Sequence, residues 1–333
     1  MELKPKSRTE VEGIVQDAIS SAVDFVESEI SQDRIKAQRY YDGEVDLGYE
    51  QGRSKVVATK VRDTVRAVKP SLMRIFLSTA KPVEYVPHGP EDVAMAEQAT
   101  EFMHHEFTRL NGYRVMNDAF QDALVKKQGI VKAYWMTYPE AEIYTYSDLS
   151  DDEYAYLVED DEVTVIEHSV EISMQVDEMG MEVETPIHSA KLSVQKEKGE
   201  LCIESVPPEE FFVDRDARNI KDAYIVAHRT EMRAGDLIAM GYEPDEVLKL
   251  DSLESGSEMT EAEVFERRGY DMDTSNNEEQ DPAMKNVTVT EVYMRIDVDG
   301  TGVPVLHKIT CGGSAYELLD FEPCDEVPFA KFE

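Results

Sequence analysis

Three features of this 333-residue sequence predict an α+β fold in which N-terminal helices pack on a mostly antiparallel sheet. Apolar residues recur at helical steps of three and four from Val11 onward, through several segments. At about Ile130 the wording changes to β-branched and aromatic runs. The runs that follow alternate imperfectly and are separated by short turn signals, as strands with one wet face would be.

From Thr9 to about Tyr41, the residues Val11, Ile14, Val15, Ala18, Ile19, Ala22, Val26 and Ile30 share one helical face, which predicts a long opening helix. Gly43, Gly48 and Gly52 break the pattern and predict a loop. A second helix is expected from Lys55 to Leu77 on the seam Val61, Val65, Val68, Leu72 and Ile75, kinked at Pro70. A third should start near Glu91, with Pro90 in its first turn and Asn111-Gly112 at its end, burying Met95, Ala99, Phe102 and Leu110. Tyr113 to Gln128 reads as a fourth helix, stopped by Gly129 and followed by the strand IVKAYWMTY.

Ser150 and Glu153 have capping-box spacing, so a short helix is expected there. Strands are expected at 162–174, 182–195 and 200–206, with DEMG turning the first into the second. Next come a proline-initiated turn, a short strand, an acidic turn and another strand, within VPPEEFFVDRDARNIKDAYIVAHRTEM. RAGDLIAMGY reads as a short helix ended by Gly241. VTVTEVYMRIDVDGTGVPVLHKITCGG reads as a hairpin with a tight turn at Asp299-Gly300, and a further strand starts at Val327 to Phe329. The expected divisions are a helical part over 1–129, a mixed part over 130–250, an acidic flexible insertion over 251–282 in which EAEVFERR can form a helical turn or two, and a hairpin segment over 283–333.

Net charge is -36, nearly all of it after Ile130, where acidic side chains outnumber basic ones by roughly three to one. Such a surface repels a phosphate backbone and excludes tight nucleic-acid binding by the C-terminal part. Cys202, Cys311 and Cys324 form no C-x-x-C pair and read as free thiols in a reducing compartment. The N-terminus lacks the apolar run of a signal peptide, and no stretch is apolar enough to span a bilayer, which predicts a cytoplasmic product without a membrane partner.

Paired carboxylates can hold Mg²⁺ and position a hydrolytic water, and Asp214, Asp216 and Asp222 are the best such cluster. Their turn-like context favours local hydrogen bonding instead. Asp297 and Asp299 lack the later positions of a calcium loop, and the adjacent His104 and His105 diverge by about a hundred degrees on a helix. GRSK at 52–55 lacks Walker spacing, and neither G-x-S-x-G nor a convincing Cys-His arrangement is present. No catalytic, cofactor or metal residue is therefore assigned.

The basic stretch is different. Arg53, Lys55, Lys60, Arg62, Arg66, Lys69 and Arg74 gather against Asp63 alone. A solvated helix face would account for them. So would a phosphate contact or, better matched to the acidity of the rest, a subunit interface in which Arg53, Lys55, Arg62, Arg66, Lys69 and Arg74 meet the carboxylates of a second copy, offsetting repulsion between acidic subunits.

Taken in order, YYDGE, GRSKVVATKVRDTVRAVKPSLMRIF, NGYRVMNDAFQDALVKKQGIVKAYW, VPPEEFFVDRDARNIKDAYIVAHRTEM and the hairpin through ITCGG resemble the portal proteins of tailed bacteriophages, particularly short-tailed ones. The resemblance spans nearly the whole chain and rests on segment order and wording, not on a catalytic signature. It implies a portal wing-like fold, cut before the family's stem, clip and crown. It implies a homo-oligomeric ring, typically a dodecamer, at one capsid vertex of the virion, made in the host bacterial cytoplasm. Double-stranded DNA would pass through this ring without sequence-specific binding. Terminase, tail adaptor, capsid and scaffolding proteins are the implied partners, and no cofactor is implied. The competing readings are a metal-dependent nuclease or hydrolase and a monomeric acidic adaptor for a basic partner.

Overall fold

The computed structural model describes residues 4–44, 48, 56–78, 83–160, 162–176, 182–251, 262–264, 266–267 and 281–332. It is an α+β structure whose strand pairings are antiparallel. Two compact units divide the chain: residues 1–134 with 203–333, and residues 135–202.

In the larger unit the opening helix α1 (Arg8–Phe25) begins at a complete capping box. Ser7 accepts from the Glu10 N–H, and the Glu10 carboxylate accepts from Ser7 N at 2.8 Å. A π-turn at Val26–Ile30 inserts between α1 and α2 (Ser31–Asp42), so the predicted single helix is interrupted near its middle. Gly43, at φ 81°, ends α2 in the left-handed conformation that glycine adopts without strain. The second predicted helix starts later than expected, as α3 (Lys60–Leu77), with Pro70 inside it. Pro90–Asp92 form a single 3₁₀ turn ahead of α4 (Val93–Arg109), and α5 (Gly112–Lys126) follows. α5 packs against α2, α3 and α4.

The face predicted to be buried on α4 is not. Met95 and Phe102 are 71% and 61% exposed, and Thr100 is the buried residue of this helix, donating to the Ala96 carbonyl and accepting from Tyr85 N–H. Helical spacing identifies a face, but not whether the same chain covers it.

The strands are β1 (Gly129–Leu149), β2 (Val163–Val176), β3 (Glu182–Val206), β4 (Phe211–Val213), β5 (Ile225–Arg233), β6 (Asn286–Ile296), β7 (Val305–Gly312), β8 (Glu317–Pro323) and β9 (Phe329–Phe332). One sheet has the order β2-β3-β1-β9 and the other β4-β5-β6-β7-β8. Alternation along β5 and β6 explains why both faces of the second sheet are covered. Ile225, Ala227, Val292 and Met294 pack with Val11, Val15, Ile19 and Ala22 of α1, while the intervening Val226 and Tyr293 pack with Ile130, Phe211 and Phe329. Each Val or Ile so enclosed contributes about 1.5–3 kcal/mol of burial. A third cluster joins Ala234 and Leu237 of α7 (Ala234–Ala239) and Val247 of α8 (Pro244–Val247) to Val287 and Val289.

β1 pairs with β9 from Gly129↔Phe332 to Lys132↔Phe329, and Phe120 bridges the rings of Phe76 and Phe332 at 5.4 and 5.6 Å. The β6–β7 connection is longer than the expected two-residue turn. Asp297 spans it by accepting from the N–H groups of Thr301 and Gly302, with Gly300 at φ 69°. β8 went unpredicted, and the two strands expected over 182–206 are one.

In the smaller unit, α6 (Asp151–Val158) carries the capping box expected of Ser150 and Glu153. β2 and β3 form a long hairpin, in register from Val163↔Val194 to Val176↔Glu182, with an irregularity between Val165 and Glu167. The DEMG turn lies outside the described residues.

Candidate functional site

The basic helix α3 is amphipathic, but the structure leaves much of its apolar seam in water. Val65 and Met73 are buried, whereas Ile75 is 70% exposed and Val61, Val68 and Phe76 are also exposed. A groove of about 370 Å³ runs beside it, lined by Lys60, Val61, Thr64, Val65, Val68 and Leu124.

The six interface candidates separate into three groups. Arg53 and Lys55 lie outside the described residues. Arg62 turns inward: it donates to the Tyr41 carbonyl at 3.1 Å and to Asp42 Oδ1 at 3.0 Å, with its guanidinium over the Tyr41 ring. Arg66 and Arg74 are exposed and Lys69 is half-buried. Arg62 thus ties α3 to the end of α2, while Arg66 and Arg74 stand in solvent.

Beneath the helices lies a charge cluster that sequence reasoning missed. Arg34 from α2, Asp122 and Lys126 from α5, Glu209 from the Pro208–Glu210 turn and Glu263 are buried together, with the half-buried Arg267 closing the cluster. Lys126 Nζ donates to Glu209 Oε2 at 2.9 Å, and Arg267 bridges Glu209 at 2.5 Å and Asp122 at 2.8 Å. Arg34 donates to the Pro208 carbonyl at 2.9 Å and to Gln128 at 2.6 Å, with Glu263 at 3.7 Å. Three cations and three carboxylates balance, which is the condition for keeping charge inside a fold.

Their acidities follow from this placement. Burial would raise Glu209, but Lys126 and Arg267 outweigh it and hold the carboxyl below its ordinary value. Burial prevails at Glu263 and Asp122, which are raised, and lowers Arg34 and Lys126. The expected flexible insertion over 251–282 falls mostly on residues outside the described ones. Its described residues include Glu263 and Arg267, four apart on helical residues of EAEVFERR, the one segment of the insertion that the sequence offers as a helical turn or two.

Three of the five carboxylates weighed for metal chemistry have structural employment. Asp214 accepts from the N–H of Tyr224 at 2.9 Å, Asp222 is engaged with Asn219, and Asp297 closes its hairpin. Among the described residues no group of three or more His, Cys, Asp or Glu is placed to hold a metal ion. His104 is half-buried and His105 exposed, and GRSK lies outside the described residues. All three cysteines are free; burial pushes the Cys311 thiol up to about 12, far from a reactive thiolate. No described helix is long and apolar enough to cross a membrane.

The site of this α+β chain is thus a basic helix with uncovered apolar side chains beside a buried cluster of ion pairs. The model of the family described as Phage SU10 portal protein matches residues 11–333. The chain belongs to that family, and its role is that of a structural protein of the phage head–tail connector. No curated protein matched the chain.

Proposed function

We propose that the chain is one subunit of a homo-oligomeric ring at the capsid vertex of the virion, through which double-stranded DNA is packaged and ejected and to which the tail attaches. The family match over residues 11–333 carries this reading. The uncovered seam of α3 supports it, because a surface with exposed Val61, Val68, Ile75 and Phe76 gains free energy when a neighbour covers it. Arg66, Lys69 and Arg74 then face the acidic surface of the next subunit, where opposite charge offsets repulsion between copies that each carry -36. Acidity also suits a conduit: a wall without phosphate-binding cations lets a polyanion slide.

In this reading the subunit catalyses nothing and takes no cofactor. A terminase motor, a tail adaptor, and capsid and scaffolding proteins dock on the ring, which is made in the host bacterial cytoplasm. Native mass measurement and electron microscopy of the purified chain test it. A closed ring, dodecameric in the simplest case, is the expected outcome. A monomer at every concentration that binds a basic protein, or Mg²⁺-dependent cleavage of DNA, would overturn the proposal.

A further inference from the structure

Resting on the ring reading above, we propose that the groove beside α3 seats Phe102 of a second copy, so that α4 of one subunit packs antiparallel along α3 of the next. Val61, Thr64, Val65 and Val68 line the groove together with Lys60 and with Leu124 of α5. Those four apolar and small residues of α3 stand at i, i+3, i+4 and i+7, the spacing of one hole in knobs-into-holes packing. Val68, Ser71, Leu72 and Ile75 repeat that spacing seven residues on; Leu72 is half-buried and the other three are exposed. α3 therefore presents two successive holes, about 10.5 Å apart along its axis.

α4 carries the matching knobs. Met95 and Phe102 are exposed and are also seven residues apart, so they project from one face at the same interval as the holes. The first hole has Leu124 as a further apolar wall, which gives the larger knob, Phe102, contact on more than one side. With Phe102 there, Met95 reaches the second hole only if the two helices run antiparallel; in the parallel sense it falls before the start of α3 at Lys60. The antiparallel order also brings the exposed Glu91, one turn ahead of Met95, to the level of Ile75 and its exposed neighbour Arg74.

Charge selects this pairing over a symmetric one. α3 carries five cations and one carboxylate, whereas residues 91–109 carry five carboxylates and one arginine. Two copies of α3 face to face would set base against base, and two of α4 acid against acid. α3 against α4 uses a different patch on each subunit, which is the head-to-tail contact that closes rings.

Co-assembly of Lys60→Cys chains with His105→Cys chains tests the seat, because both side chains are exposed and antiparallel docking sets them side by side across the contact. Mild oxidation should yield a covalent dimer of the two variants that neither gives alone. Phe102→Ala, at an exposed position, should leave thermal unfolding unchanged and weaken assembly about tenfold or more. Arg74→Glu and Glu91→Arg should each weaken assembly, and the two together should restore it. Rings that form without the Lys60–His105 link, or as readily with Phe102→Ala, overturn this seat and leave the ring reading standing. Failure of the charge swap to restore assembly overturns the antiparallel register. A chain that stays monomeric at every concentration overturns the seat and the ring together.

Discussion

Lys126 and Glu209 stand 2.9 Å apart with side chains 2% and 1% exposed, an ion pair as deeply enclosed as the apolar core around it. Breaking one side of such a pair strands the other charge. Lys126→Ala is therefore expected to destabilise the chain by about 3–5 kcal/mol in chemical denaturation, and Glu209→Ala by a similar amount. The double variant should cost less than the sum of the singles, because neither then leaves a charge unpaired. An additive cycle would mean that the two groups act independently.

Opposite acid responses are expected from Glu209 and Glu263. Glu209 is held below its ordinary value, so its ionised form favours folding above the unfolded glutamate range, and that contribution is lost as pH falls through the folded value. Glu209→Gln should flatten the acid limb of the stability curve. Glu263 is raised by burial, so the folded state keeps its proton longer than the unfolded chain does, and stability declines as pH rises from the unfolded value through the folded one. Glu263→Gln should abolish that decline. Midpoints of thermal unfolding across pH, compared between the two variants, check both signs.

Charge reversal on α3 should separate its two kinds of arginine. Arg66→Glu, on an exposed side chain, is expected to leave unfolding unchanged and to weaken assembly at low salt, with a smaller effect at high salt, where such attraction is screened. Arg62→Glu removes the link to Tyr41 and Asp42 and should lower stability as well. Sedimentation at two ionic strengths, beside thermal melts, distinguishes the outcomes. Normal assembly of both variants at low and high salt would sink the charge-pairing account.

Gly129 tolerates no side chain. A Cβ there would collide with the Phe332 ring and the Ala119 carbonyl oxygen. Gly129→Ala is expected to cost about 1–3 kcal/mol through overpacking, and to raise amide exchange in β9, whose pairing with β1 begins at this residue.

What could be read from the sequence was whatever local chemistry decides. Ser150 with Glu153 specified a helix start because a capping box needs only its own four residues, and Gly241, at φ 99°, marked the end of α7 for the same reason. The order of helices and strands followed from periodicity. Met95 and Phe102 show where periodicity ends: their spacing is helical, but what covers them is not written in α4. β8 was missed because ELLDFEP lacks strict alternation, although Gly312-Gly313 ahead of it, with Gly313 at φ 73°, is a hairpin turn signal. The charge cluster was harder still, since Arg34, Lys126, Glu209 and Arg267 are separated by most of the chain and each reads as an ordinary surface charge.

Arg8, at the start of α1, donates to the carbonyl of Leu318, 310 residues away, and Lys6 N–H donates to Val298. A segment near the start of this sequence thus finds its resting place against strands that are made much later. Until those strands are made, Val11, Val15 and Ile19 have no sheet to lie on, and their oily stripe is open to chaperones or to the same stripe on a sister chain. Closure of this core therefore waits on strands far along the chain, and until then the stripe of α1 needs other cover.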